Sequence, residues 1–234
     1  LKAQKNGTIY KGNDPAVRYT GRTLVSPDGS VAFDWVGTYL ETRFTGGKLS
    51  VKVSETGTSY YNVFVDGKLH KVVKVCGTDT LIHLVSGIDK RIHSLKIQKR
   101  SEGEFGKTTV HQFVLSGSGR LAEEPAVRTR HIEFIGNSLT CGYGTDGKHR
   151  DEPFLVETEN CNLTFASMVA RYYDADYTLI AHSGRGAARN YGDSVRVSKV
   201  TMKDRMLNTF DEDLTHKWNF KEYRPDLVVI NLGS

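Results

Sequence analysis

The hydrophobic period of the chain changes once, near residue 120, and that change limits the architectures open to it. Before it, apolar residues recur at every second position. In "KLSVKVSET", Leu49, Val51 and Val53 alternate with Lys52 and Ser54, the pattern of a strand with one buried and one wet face. "SYYNVFVDGKLHKVVKV" holds two such runs meeting at Asp66-Gly67, a pair suited to the positive φ angles of a two-residue hairpin. "HSLKIQKR" and "VHQFVLSG" repeat the alternation, and the cations of "KIQKR" read as the solvated face of such a strand. His83, His93 and His111 are expected at the surface of this half. Short strands at close spacing, with almost no helical period, predict an all-β jelly-roll sandwich over residues 1–120.

Within "SGSGRLAEEPAVRTR" the composition turns to Gly, Ser, Pro and charge, and residues 121–130 are the expected linker. From 131 to 234 strand and helix alternate. "HIEFIG" is a short buried strand. "FASMVARYY" sets Phe165, Met168, Val169 and Tyr172 at i, i+3, i+4 and i+7, the stripe of an amphipathic helix. "DYTLIAHSG" runs from strand into a glycine loop, and "PDLVVINLG" is a continuous apolar strand. This alternation predicts an α/β second domain with a parallel sheet and helices on both faces.

Composition removes several function classes. The formal charge of +5 is modest and spread out, and no basic helix or aromatic-basic motif accompanies it, so no nucleic-acid partner is expected. No apolar stretch approaches a membrane span. Cys76, Cys141 and Cys161 lack metal-ligand spacing and allow at most one disulfide. Cys141 and Cys161 flank one loop and are the best-placed pair, with two free thiols as the alternative. Asp211, Glu212 and Asp213 read as solvated charge, and neither metal nor other cofactor is expected. A start at Leu1 rather than Met suggests a processed or trimmed end.

Three strands run into small polar loops, "GNSLT", "HSGRG" and "NLGS". In a parallel sheet these endings share one edge, where ligands of such folds bind. Gly136 is expected to let the chain turn sharply and present Ser138, whose hydroxyl becomes a nucleophile once a base takes its proton and donors hold the resulting oxyanion. The other reading of Ser138 is a helix N-cap. No glycine stands two residues after Ser138, so the stretch is not the α/β-hydrolase elbow. His182 is the tempting local base, with packing or capping as its ordinary reading. Tyr143 and Phe154 are candidates to stack on a sugar ring, against structural aromatic packing. Arg185 is a candidate for binding sugar or carboxylate, against a solvated loop charge. The long "TDGKHRDEPFLVETENCN" connection is a candidate wall of the site.

"FIGNSLTCGYG" resembles the first block of the SGNH (GDSL-type) hydrolases, with Asn137 where the family usually has Asp. "AHSGRG" is similar to the second block, and "PDLVVINLG" to the strand leading into the third. With the "TCGYG" extension, "SGRGAARNYG" and an all-β domain ahead, the chain resembles carbohydrate esterase family 2. In that group a jelly-roll precedes a three-layer SGNH domain, and O-acetyl groups are removed from plant polysaccharides such as xylan and glucomannan. The resemblance implies Ser138 as nucleophile and the amides of Ser138 and Gly184 as oxyanion donors. It places a third donor, an Asn following Gly233, and the catalytic His after Ser234, so the SGNH domain is incomplete in this chain.

A strand as apolar as "LVVINL" is expected inside its sheet, since as an edge it would invite aggregation. The remainder is therefore expected to accompany the chain as a separate C-terminal polypeptide, without which the chain is nearly inactive. A polymeric substrate implies a secreted or periplasmic protein. The other readings are a carbohydrate-binding protein without chemistry, favoured by Asn137 and the missing His, and an SGNH lipase or thioesterase, disfavoured by the β-domain and the lack of an apolar lid helix.

Overall fold

The structure, a computed structural model, describes residues 7–123 and 126–233; two positions of the expected linker and Ser234 lie outside this range. The strands of the first half are β1 (Thr8–Lys11), β2 (Val17–Thr20), β3 (Leu24–Val25), β4 (Val31–Phe33) and β5 (Tyr39–Phe44), then β6 (Gly47–Val65), β7 (Lys68–Ile88), β8 (His93–Lys99) and β9 (Thr108–Ser116). They form one antiparallel sheet in the order β2-β5-β8-β6-β9-β4-β3, with β1 on β9 and β7 on β6. Asp66 and Gly67 take φ of 49° and 76°, so the expected hairpin is present with its primed turn.

The strands beside that turn are longer than their sequence suggests. β6 and β7 run to 19 and 21 residues. "KLSVKVSET" and "SYYNVFV" are one bent strand: Lys48–Glu55 pairs with β9, and Tyr61–Val65 pairs with β8. Register shifts between Val53 and Thr58 in the β6–β7 ladder mark the bend. The sheet thus curls, jelly-roll-like, around a core that includes Phe33, Leu49, Val63, Leu95, Phe113 and Leu115.

The second half holds three parallel strands, β10 (His131–Gly136), β11 (Asp176–Ala181) and β12 (Leu227–Asn231), in the order β11-β10-β12. Its α-helices are α1 (Ser138–Cys141), α2 (Phe165–Tyr172) and α3 (Met202–Arg205). The stripe read from the sequence of α2 exists but faces outward: Met168 is 55% and Tyr172 84% exposed, with Phe165 and Val169 also open. The buried residues are Ala166, Ser167 and Ala170. Small side chains let the helix sit close on a core of Phe134, Tyr177, Cys141 and Cys161. All three cysteines are free, so the 141–161 pair does not form. Among the described residues β12 is an edge strand, with Ile230 66% exposed.

The two halves meet through buried polar side chains. Lys99 and Arg100, expected on a wet face, are both buried. The Lys99 ammonium donates to the carbonyls of Ser101 and Glu102 at 3.0 and 3.1 Å. Arg100 donates to the carbonyls of Glu159 and Glu157 at 2.7 and 3.0 Å, pinning the long loop after α1. His93 is buried too, between Asp66 and Asp89. Asp176 joins Arg18, Arg128 and Tyr39 at the start of β11.

Arg22 is a further buried cation. It lies against Trp35, Trp218 and Phe220 at 5.4–5.9 Å and donates to the carbonyls of Met206 and Asn208 at 2.7 and 2.8 Å. Arg22→Ala is expected to lower the free energy of unfolding by about 3 kcal/mol or more, since two carbonyls lose their donor inside a new cavity. The only two tryptophans flank this guanidinium, so their emission during urea unfolding measures the change.

Candidate active site

The parallel ladder brings the three polar loops to one edge. Gly136 pairs with Ala181 on one side and with Asn231 on the other. The His182 amide donates to the Gly136 carbonyl at 3.3 Å, carrying the alignment one residue past the strands. Ser138 follows Gly136 by two residues, Gly184 follows Ala181 by three, and Gly233 follows Asn231 by two.

The turn after β10 depends on space rather than on an unusual φ. A Cβ on Gly136 would lie 2.0 Å from Thr140 Oγ1, so only glycine lets α1 fold back over the strand end. The helix cap is Asn137, whose side-chain oxygen accepts from the Leu139 amide at 3.2 Å, while Ser138 is the first helical residue. The capping role therefore belongs to the neighbour, and Ser138 is half-buried at the rim. An amide at this position has no acceptor within the helix.

After β11, the Arg185 amide donates to the His182 carbonyl at 3.3 Å and closes a turn with Ser183 and Gly184 at its centre. Gly184 has φ +74° and Ser183 is not among the positive-φ residues, which makes this a type II turn with glycine at its required place. The Gly184 N–H belongs to the central peptide and takes no part in the closing bond. Arg185 is half-buried, and its Nε has no hydrogen-bond partner among the described residues.

His182 is not a free base. Its Nδ1 lies 2.7 Å from Asp211 and its Nε2 3.2 Å from Glu104. Burial by itself would lower its pKa, but hydrogen bonds donated to these two carboxylates outweigh that and raise it to about 9. Asp211, expected in solvent, is fully buried and also accepts from Arg205 at 2.9 Å. Asp34 takes the Asp211 and Glu212 amides at 2.8 and 3.1 Å, and burial with the Asp211 charge pushes its own pKa up to about 7.

A second buried group lies on the other side of this turn. Glu102 accepts from the Ser183 amide at 2.5 Å and from the Ser183 hydroxyl. The Glu102 amide donates to Glu159 at 2.8 Å. Burial and the Glu102 charge push Glu159 up to about 10, so it is neutral at ordinary pH. Glu102, Cys141 and Glu159, like His182, Asp211 and Glu212, are close enough to share a metal ion. Without a metal, burial keeps the Cys141 thiol protonated and the carboxylates beside it keep His182 a cation, so an ion binding at either set would have to displace protons.

Tyr143 and Phe154 stack on each other at 3.7 Å and 10°, with Phe105 behind at 5.6 Å. Tyr143 remains 47% exposed at the end of this aromatic stack. Glu104 also lines a cleft of about 360 Å³ with Asp34, Phe105, Lys107, Phe210 and Glu212, which none of Ser138, Gly184, Tyr143 or Arg185 enters. Glu102 and Glu159 were not singled out in the sequence, and Asp211 was read there as solvated charge. The one local signal for Glu102 was "SEGEFG", two carboxylates set among glycines where the strand pattern breaks.

A curled antiparallel sheet is joined through buried charge to a parallel sheet with a serine at its strand-end rim. Residues 19–125 match the family model described as Carbohydrate esterase 2 N-terminal. The chain is 33% identical over 222 residues to the cellulase/esterase CelE of Acetivibrio thermocellus, covering 95% of itself and 27% of that protein. It is 32% identical to an acetylxylan esterase/glucomannan deacetylase of Cellvibrio japonicus, covering 92% of itself and 59% of that protein. A family two carbohydrate esterase from Clostridium thermocellum, solved with cellohexaose, superposes with a TM-score of 0.87 at 34% identity, over 93% of this chain and 65% of that one. The chain is thus similar to carbohydrate esterases of family 2, and it spans only part of the length of these relatives.

The His182 pairing has a pH signature. Its pKa is raised from 6.5 to about 9 on folding, so its contribution is full below pH 6.5 and is lost as pH rises through 9. Urea titrations are expected to show stability falling across that window by up to about 3 kcal/mol. His182→Gln should flatten the profile there.

Proposed function

We propose that the chain is the larger part of a carbohydrate O-acetyl esterase with Ser138 as its nucleophile. The observation carrying this reading is the β10–β11 register, continued by the His182-to-Gly136 bond, which sets the Ser138 and Gly184 loops side by side. The named activity of the Cellvibrio relative and the cellohexaose held by the Clostridium structure support an acetylated polysaccharide of xylan or glucomannan type as substrate. Residues 131–234 are read as part of an SGNH domain and residues 1–120 as its β partner. A polymeric substrate fits a secreted or periplasmic protein.

In this mechanism Ser138 Oγ attacks the acetyl carbonyl, and the Ser138 and Gly184 amides donate to the oxygen as it gains charge. The sugar oxygen leaves with a proton, and water then releases acetate from the acyl-serine. His182 is held as a cation by its carboxylates and is not the proposed base, a role that the resemblance to the SGNH hydrolases assigns to a histidine outside these residues. Asn137 caps α1 as an aspartate would, so its presence leaves the nucleophile's turn intact. Tyr143 and Arg185 stand near the rim as candidate sugar contacts. The open stripe of α2 and the exposed edge of β12 suit burial by further polypeptide that completes the domain, expected as a separate C-terminal chain.

Ser138→Ala in the complete esterase is expected to lower acetate release from acetyl-xylan and p-nitrophenyl acetate by on the order of 10⁴-fold or more. Unchanged turnover would remove the serine from the mechanism. Saturable glycan binding without acetate release would select the non-catalytic reading, and a preference for long acyl p-nitrophenyl esters the lipase reading.

A further inference from the structure

We infer that Glu102, contributed by the antiparallel half, is a positioning residue for the Gly184 amide and so sets an oxyanion donor from across the junction. This rests on the esterase reading above but concerns a residue outside the strand-end loops. The Gly184 N–H lies in the peptide that joins Ser183 to Gly184, the central peptide of the type II turn. Its place is set by the two Cα atoms that carry this peptide, and its rotation by the positive φ of Gly184. Glu102 holds Ser183 at two atoms, the amide at 2.5 Å and the hydroxyl. A shift of the Ser183 Cα, and with it of the Gly184 N–H, would have to break that two-point grip.

Glu102 is itself well held. It is completely buried, its carbonyl accepts from Lys99 at 3.1 Å, and its amide donates to Glu159 at 2.8 Å. Two residues on, Glu104 meets the His182 ring at 3.2 Å. The first two residues of the turn are thus gripped by carboxylates of one short segment, Glu102–Glu104. Because Glu159 is neutral, burying it beside Glu102 does not place two charges together. A donor held this way needs no reorganisation when charge develops, which is where oxyanion holes gain their effect. A displacement of about 1 Å in such a site can cost on the order of a hundredfold in rate.

The alternative is that Glu102 only fastens the two halves together, and kinetics separates the two roles. In the complete esterase, Glu102→Gln is expected to lower kcat for p-nitrophenyl acetate about ten- to a hundredfold while KM moves less than about threefold. Ser183→Ala, which removes one of the two contacts, should lower kcat less. The double variant should be no worse than Glu102→Gln alone. Arg18→Met, which breaks the network at the far end of β11, should lower the thermal midpoint and leave kcat unchanged. A Glu102→Gln enzyme with kcat within about twofold of the parent would overturn the proposal. Should that variant not fold, an unchanged kcat in Ser183→Ala would overturn it equally. If Ser138→Ala also keeps full turnover, the esterase reading fails; if Ser138→Ala is dead while Glu102→Gln is not, only the positioning role fails.

Discussion

Four consecutive buried residues, Lys99, Arg100, Ser101 and Glu102, form the hinge on which the molecule is assembled. Burying an ammonium, a guanidinium and a carboxylate is unfavourable unless each finds partners, and here most partners come from the other half. Arg100 takes carbonyls of the loop after α1, Glu102 takes Ser183 beyond β11, and Lys99 ties the segment to itself. Such pairs add less net stability than apolar packing of the same volume, but a slipped arrangement would leave bare charge in the interior. The junction therefore specifies one geometry more strongly than it stabilises it.

That accounts for much of what the sequence did and did not disclose. The hairpin at Asp66-Gly67 was legible because its signal is local: two residues with positive φ between alternating runs. The strands "HIEFIG", "DYTLIA" and "LVVIN" were legible because continuous apolar runs bounded by glycine have few other uses. The fusion of two runs into β6 was not, because the bend lies in register shifts that a period of two cannot signal. For α2 the period was right and the inward face wrong. Period locates a stripe, whereas the choice of buried face is made by what the helix must approach, and Ala166 and Ala170 allow a closer approach than Phe165 and Met168.

The candidate site divides in the same way. Ser138 and Gly184 were readable because strand ends and glycines mark an edge whatever else surrounds it. Their supports were not. Lys99 and Arg100 look like any solvated cations, and Asp211 sits in a run of acids that resembles a surface turn. For Arg100 and Asp211, partners come from segments far apart in sequence, Glu157 and Glu159 for the one and His182 for the other. His182 shows the consequence: a histidine beside the rim invites a catalytic reading until Asp211 and Glu104 are seen on its two nitrogens.

Two kinds of surface border the parallel sheet. In one place, Glu102 of the antiparallel half reaches the turn after β11 and holds Ser183 at two atoms. Elsewhere, the α2 stripe and the edge of β12 present apolar surface. Apolar burial is non-directional and tolerates a range of partners, whereas a two-point hydrogen bond to a carboxylate does not. If the nucleophile and donor are set by the polar side, whatever covers the apolar side can contribute its own groups without first having to shape the rim. The β-domain then serves as the template for the oxyanion site, rather than as an appendage that carries glycan to it.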